Sequence, residues 1–69
     1  MKATVFIRIT GKIDSKKLWN TLEKFGNINV TDCIEYTLVY GDSDITTASH
    51  IIGLCASYGD IQAEVTHGE

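Results

Sequence analysis

The sequence predicts an α+β domain in which a strand-helix-strand unit occurs twice. Apolar residues alternate with polar ones along four short segments, a pattern typical of half-buried strands. Along two other segments apolar residues recur at helical spacing, and the second half of the chain repeats the apolar pattern of the first. Sixty-nine residues are enough for one small domain that contains both units, so we expect a single domain over residues 1–69.

The first half of the chain is predicted to form a strand, a helix and a second strand. In the first strand, the odd-numbered residues of Val5–Ile9 are expected to face the core. Asp14 is placed to cap the helix, because its side chain can accept from backbone amides in the first turn. Gly26 is placed to end that helix, and residues 27–31 alternate as the second strand. The predicted apolar positions of the helix are Leu18, Trp19, Leu22 and Phe25.

The second half is predicted to repeat this order after a tight hairpin at Asp32 and Cys33. In the third strand, the even-numbered residues 34–40 are expected to face the core, and Glu35, Thr37 and Val39 to face solvent. Residues 41–44 are predicted to form a turn and the cap of a second helix. The predicted core residues of this half are Ile34, Tyr36, Leu38, Tyr40, Ile45, Ala48, Ile51, Ile52, Cys55, Ile61, Ala63 and Val65.

An internal repeat, over about residues 3–32 and 34–66, predicts how the elements are arranged. At a shift of 33 residues, Leu18 maps onto Ile51 and Leu22 onto Cys55, and the first strand maps onto the third at a shift of 31. One such unit cannot bury its own apolar face, but two interleaved units can. Interleaving gives a ferredoxin-like sandwich, a four-stranded antiparallel sheet in the order 4-1-3-2 with both helices on one face.

Charge is distributed unevenly along the chain. The net charge is −3, yet all six Lys and Arg residues lie in the first 24 positions and the rest carries seven acids. The overall sign argues against a nucleic-acid partner. The basic first helix and the acidic remainder can complement each other within one fold or across a subunit boundary.

The cysteines and the hydropathy bear on the compartment. We expect Cys33 in the hairpin and Cys55 on the second helix to be free thiols, which fits a reducing environment. No stretch approaches the ~20 apolar residues of a membrane span, so no membrane is expected. The predicted location is therefore the cytoplasm.

One end of the predicted sheet gathers three loops that form a candidate ligand site. A helix N-terminus with a nearby glycine and lysine can hold an anion, whereas three carboxylates and a thiol can hold a cation. The alternative is structural, with Asp14 as a helix cap and the other acids as turn residues. The candidate ligand-binding residues are Gly11, Lys12, Asp14, Asp32, Cys33 and Asp60.

The sheet face away from the helices is a second candidate surface. Phe6 is expected to be its one aromatic anchor, and the predicted register sets Arg8 opposite Glu35. The alternative is a solvated polar face. A single-strand nucleic-acid binder would use the same face but needs aromatics on both central strands, and Tyr36 and Tyr40 are predicted to point inward. The predicted interaction residues are Phe6, Arg8, Glu35, Thr37, Gln62 and Glu64.

No residue constellation predicts catalysis. The predicted placement brings no Cys–His pair together, and no pair of acids is placed for hydrolysis. No ligand pair has a recognised metal spacing. We therefore expect a non-enzymatic protein with neither cofactor nor metal.

The stretch Phe25–Val30 (Phe-Gly-Asn-Ile-Asn-Val), after a helix that opens near Asp14, resembles part of an ACT domain. The resemblance covers about residues 4–32. ACT domains have the same strand order and similar length, and they typically bind amino acids or other small regulators at a dimer interface near the first strand-helix turn. The resemblance therefore implies a ligand-sensing oligomer.

These observations predict a small ligand-sensing or protein-interaction module that acts as a homo-oligomer, with a protein or a small metabolite as partner. The physical reason to expect association is a small core together with two edge strands that contain no proline. Two alternatives stay open, an accessory or structural subunit of a larger complex and a single-strand nucleic-acid binder that uses the open sheet face.

Overall fold

The computed structural model describes residues 2–67 as a four-stranded antiparallel sheet with two helices. The elements are β1 (Lys2–Thr10), α1 (Ser15–Leu22), β2 (Ile28–Asp32), β3 (Tyr36–Asp44), α2 (Ile45–Ala56) and β4 (Ile61–His67). A short 3₁₀ turn, Glu23–Phe25, extends the first helix. The order across the sheet is β2-β3-β1-β4, which is the predicted order, and the α+β class is confirmed.

The core lies between one face of the sheet and both helices. Alternate residues of β1 are fully buried, as their alternation predicts, while Phe6 and Arg8 between them are exposed. Each helix contributes side chains to the same cluster, so α1 and α2 cover the same face. The buried cluster contains Val5, Ile7, Ile9, Leu18, Leu22, Ile28, Val39, Ala48, Ile51 and Cys55.

The ends of α1 are set by the residues that the sequence indicates. The Asp14 side chain accepts a hydrogen bond from the backbone N–H of Lys17 at 3.1 Å, which satisfies a free amide of the first turn. After the 3₁₀ turn, Gly26 adopts a positive φ of 92°, a conformation that glycine reaches without steric cost. Both predictions are confirmed.

The predicted orientation of the third strand is wrong. Thr37 and Val39 of β3 are buried, whereas Tyr40 is 38% exposed, so the strand presents the opposite face to the core. The register explains this, because Val39 lies opposite the inward Ile7 and Gly41 opposite the inward Val5. A one-residue slip in register moves every side chain of a strand to the other face.

Gly41 helps to fix this register. A Cβ at position 41 would lie 1.9 Å from the carbonyl oxygen of Asn27, so only glycine fits where the chain enters β2. The N–H of Asp42 donates to the same oxygen at 3.2 Å. Residues 41–44, predicted to form a turn, are instead part of β3, which continues directly into α2 at Ile45.

Several other residues also depart from their predicted positions. Trp19 is 44% exposed on α1 and Ile34 is 92% exposed, because residues 33–35 form the loop that joins β2 to β3. The hairpin is thus longer than predicted, with the N–H of Cys33 donating to the carbonyl of Tyr36 at 2.9 Å. Ala63 is exposed although it shares the core side of the sheet with Ile7, its partner in β1.

The internal repeat stays a prediction. Leu18 and Ile51 are both fully buried, and so are Leu22 and Cys55, as equivalent positions require. The shift of 31 residues, however, pairs inward residues of β1 with outward residues of β3. Within residues 2–67, neither helix has the length and apolar character needed to cross a membrane.

Candidate functional site

The centre of the open sheet face carries a cluster of aromatic and aliphatic side chains. Phe6 lies opposite Tyr40 across β1 and β3, and the two are 47% and 38% exposed. Leu38 and Tyr36 follow on the same face of β3, each partly buried. We call Phe6, Tyr36, Leu38 and Tyr40 the central patch.

Arg8 lies across this patch. The residue pairs with Leu38, and its guanidinium carbon is 4.7 Å from the centroid of the Tyr36 ring. A guanidinium over an aromatic face is attracted by the electron density of the ring, which holds the long side chain along the sheet. The cation is therefore positioned beside the apolar surface.

The rim of the open face is polar and carries several carboxylates, with Lys2 at one end of β1. Glu64 lies opposite Phe6 on β4, and Asp42 of β3 accepts a hydrogen bond from the Thr4 hydroxyl at 2.8 Å. On the β2 side, the Thr31 and Tyr40 hydroxyl oxygens are 3.5 Å apart. Carboxylates beside the patch favour cationic groups on anything that binds there.

Two shallow depressions flank Arg8. The larger extends from β1 to the loops at the end of the sheet, and the smaller lies between β1 and β4 beside Phe6. Both are lined by Arg8, Gln62 and at least one acid, so each offers hydrogen-bond donors and acceptors. The larger includes Arg8, Glu35, Tyr36, Asp60 and Gln62; the smaller includes Phe6, Arg8, Gln62 and Glu64.

Four of the six predicted interaction residues lie on the open face. The predicted proximity of Phe6 to Glu64 and of Arg8 to Gln62 is confirmed by the pairing of β1 with β4. Glu35 lies in the β2–β3 loop, not in a strand, and Arg8 faces Leu38 rather than Glu35. Thr37 is 2% exposed on the core side, so its predicted place on this face is wrong.

The predicted ligand-binding residues are divided between two depressions. Gly11, Lys12, Asp32 and Cys33 line one of them, and Asp60 lies with Gly11 in the larger depression of the open face. The structure brings four of the six together. Asp14 lines neither of these depressions; its carboxylate caps α1.

Asp32 also has a structural role. One carboxylate oxygen accepts from the Ser15 hydroxyl at 2.5 Å, and the other accepts from Thr37 at 3.2 Å. This side chain thereby ties the end of β2 to the start of α1 and to β3. Among residues 2–67, no three or more His, Cys, Asp or Glu side chains are grouped so that they could hold a metal ion.

The two cysteines are free and differ in environment. Cys33 is half-buried beside Lys12 and Ile34, whereas Cys55 is fully buried on the inner face of α2. Burial raises the pKa of the Cys55 thiol to about 11, because the thiolate loses its hydration in the core. Cys55 therefore acts as a small apolar core residue.

The residues that sequence reasoning missed are Tyr36, Leu38 and Tyr40. Alternation within β3 does not distinguish its two faces, because its outward residues are as apolar as its inward ones. No protein-family model matches this chain, and no curated protein or solved structure matches it significantly. The resemblance to ACT domains therefore stays a prediction.

Proposed function

We propose that this chain is a non-enzymatic protein-interaction module with a ferredoxin-like fold, which binds its partner through the open sheet face. The observation that carries the proposal is the exposure of Phe6 and Tyr40, paired at the centre of that face beside Arg8. The few residues that dominate binding energy in protein interfaces are enriched in tyrosine, tryptophan and arginine. Contiguous exposed apolar side chains with a polar rim are typical of such sites.

The charges around the open face indicate what kind of partner it would bind. Glu64 and Asp42 stand beside the central patch, and Glu35 and Asp60 line the depression at its end. Against these acids the centre of the face offers one cation, Arg8, whose side chain is stacked on Tyr36. The complementary surface is an apolar segment flanked by lysine or arginine, because such charges attract the rim and speed association.

Single-stranded nucleic acid is a second candidate, favoured by one observation. Phe6 and Tyr40 are exposed neighbours on the two central strands, where such binders stack bases. The acidic rim opposes this role, since phosphates gain affinity from clusters of lysine and arginine. A protein partner agrees with both the aromatic residues and the charge, so we favour it.

A photo-crosslinking experiment tests the proposal. A photoreactive phenylalanine analogue replaces Phe6 in one variant and Trp19 in a matched control, since Trp19 is about equally exposed but lies on a helix. We expect light to link the Phe6 variant, and not the control, to a specific protein. Mapping the linked peptide should show lysine or arginine beside an apolar segment.

Binding measurements with the purified partner complete the test. We expect Phe6→Ala and Tyr40→Ala each to weaken binding at least about tenfold, which corresponds to ~1.4 kcal/mol, with Trp19→Ala as the control. Labelled single-stranded RNA serves as the competing ligand. Equal crosslinking from both positions, or RNA binding that requires Phe6 where protein binding does not, would overturn the proposal.

A further inference from the structure

The outer edge of β4 presents hydrogen-bonding groups in a defined register. The N–H of Thr10 in β1 donates to the carbonyl of Asp60 at 2.9 Å, so the backbone carbonyl of Asp60, just before β4, points toward β1. Because the direction alternates along a strand, the N–H and C=O groups of Ile61, Ala63 and Val65 point to the free edge. In the part of the chain that the structure describes, no other strand pairs with this edge.

The core side of β4 is incompletely covered. Ala63 is exposed, and Ile61 and Val65 are only half-buried, whereas the β1 residues opposite them are fully buried. The helices therefore leave an apolar strip along this strand. Such a strip beside free backbone groups is a surface on which a further strand can add.

Helix α2 extends the strip. Ile45 and Ile52 are seven residues apart and so share one flank of the helix. The opposite flank carries His50, whose ring lies 5.7 Å from Phe25 at the end of the α1 segment. Ile45 and Ile52 therefore lie on the β4 side, where Ile45 is 37% exposed.

We propose that a second copy of this chain pairs with β4 in antiparallel orientation, about a two-fold axis at Ala63. In this register Ala63 meets Ala63 of the other copy, and Ile61 meets Val65, so all the outward backbone groups of these residues are bonded. On the open face Gln62 lies opposite Glu64 of the other copy, and its amide can donate to that carboxylate. A two-fold axis at Glu64 would instead bring two carboxylates face to face.

The opposite edge of the sheet is less suited to self-association. β2 has five residues against the seven of β4. Of its inward residues Ile28 is buried, Val30 is half-buried and Asp32 is charged, so the apolar strip beside its free backbone groups is shorter than that of β4. Pairing through β4 also places the open faces of both copies on the same side of one continuous sheet, which gives two central patches to a partner.

The test is the oligomeric state of the full chain by sedimentation equilibrium over a range of concentrations. We expect the native protein to form a reversible dimer. Ala63→Pro removes an N–H that points away from β1, and Ala63→Arg places two like charges at the axis. Each variant should raise the dissociation constant at least about tenfold while its melting temperature at high dilution stays unchanged.

A charge change tests the register itself. Gln62→Lys should tighten the dimer in a salt-dependent way, because the ammonium then faces Glu64 of the other copy, and Gln62→Glu should weaken it. Phe6 lies outside this edge, so Phe6→Ala should leave the dimer intact. A loss of dimerisation can therefore be distinguished from a loss of partner binding. A monomer up to about 1 mM, or a dimer that tolerates both Ala63 variants, would overturn the proposal.

Discussion

Phe6 and Tyr40 lie directly opposite each other on β1 and β3, and both side chains point away from the helices. Their immediate neighbours Ile7 and Val39 also pair, but on the buried face. The two central strands thus bury one pair and display the other. This division distinguishes residues that stabilise the fold from residues available to a partner.

The first prediction follows from that division. We expect Ile7→Ala to lower the free energy of unfolding by about 2–5 kcal/mol, because it opens a cavity in the core. Tyr40→Ala should cost less than about 1.5 kcal/mol, since more than a third of that side chain already contacts solvent. Urea unfolding of the two variants makes the comparison. Equal losses would mean that Tyr40 is a core residue.

The second prediction concerns two glycines. Gly41→Ala should destabilise the protein by at least about 2 kcal/mol, because a Cβ there would overlap the Asn27 carbonyl and push β2 away. Gly53→Ala is the matched control: it lies in α2 with open space around it, and should stabilise by up to about 1 kcal/mol. Thermal unfolding measures both. A neutral Gly41→Ala would contradict the close approach of β3 to Asn27.

The third prediction concerns the hydrogen bonds of Asp32. Asp32→Ala should lower the free energy of unfolding by about 1–3 kcal/mol, because the buried hydroxyl of Thr37 loses its acceptor. Thr37→Val should cost less, since the exposed carboxylate can accept from water instead. In a double-mutant cycle, Asp32→Ala should be less harmful when Thr37 is already valine. Additive costs would show that the two side chains do not interact.

The fourth prediction is a dependence on alkaline pH. The folded-state pKa of Cys55 is raised from 9.0 to about 11, so the folded protein retains a proton that the unfolded chain releases. The contribution of this thiol to stability is complete below pH 9.0 and is lost as the pH rises toward 11. The difference in unfolding free energy between the native protein and Cys55→Ala, measured against pH, isolates this effect from other titrations. A difference that stays constant across that window would contradict the burial of the thiol.

The sequence was sufficient to predict the sheet order and the first strand-helix unit. In β1 only one face is continuously apolar, so alternation defines the buried side without ambiguity. Asp14 and Gly26 act locally, through bonds to nearby amides and through backbone conformation. Interactions of this kind can be recognised in a short stretch of sequence.

The orientation of β3 could not be obtained in the same way. Its outward residues Tyr36, Leu38 and Tyr40 are larger and as apolar as its inward ones, so alternation fits either face. The contacts that decide between them are distant in sequence: Gly41 against Asn27, and the pairing with β1. Since the central patch depends on that orientation, this candidate site became visible only in three dimensions.

The sequence also did not predict which parts of the sheet the helices cover. Trp19 follows the fully buried Leu18 but is 44% exposed. Ala63 occupies an inward position of β4 yet remains exposed. Both outcomes depend on where the helices lie over the sheet, which periodicity within a single element does not determine.

The face that β3 presents to solvent is tested most directly by nuclear Overhauser contacts between assigned side chains. We expect cross-peaks between the ring of Phe6 and the ring of Tyr40, and between Val39 and Ile7, which pair in the register. Cross-peaks from Tyr40 to buried methyl groups such as those of Ile51, with Val39 exposed, would contradict this orientation of β3. The central patch would then be absent, and the proposed binding face with it.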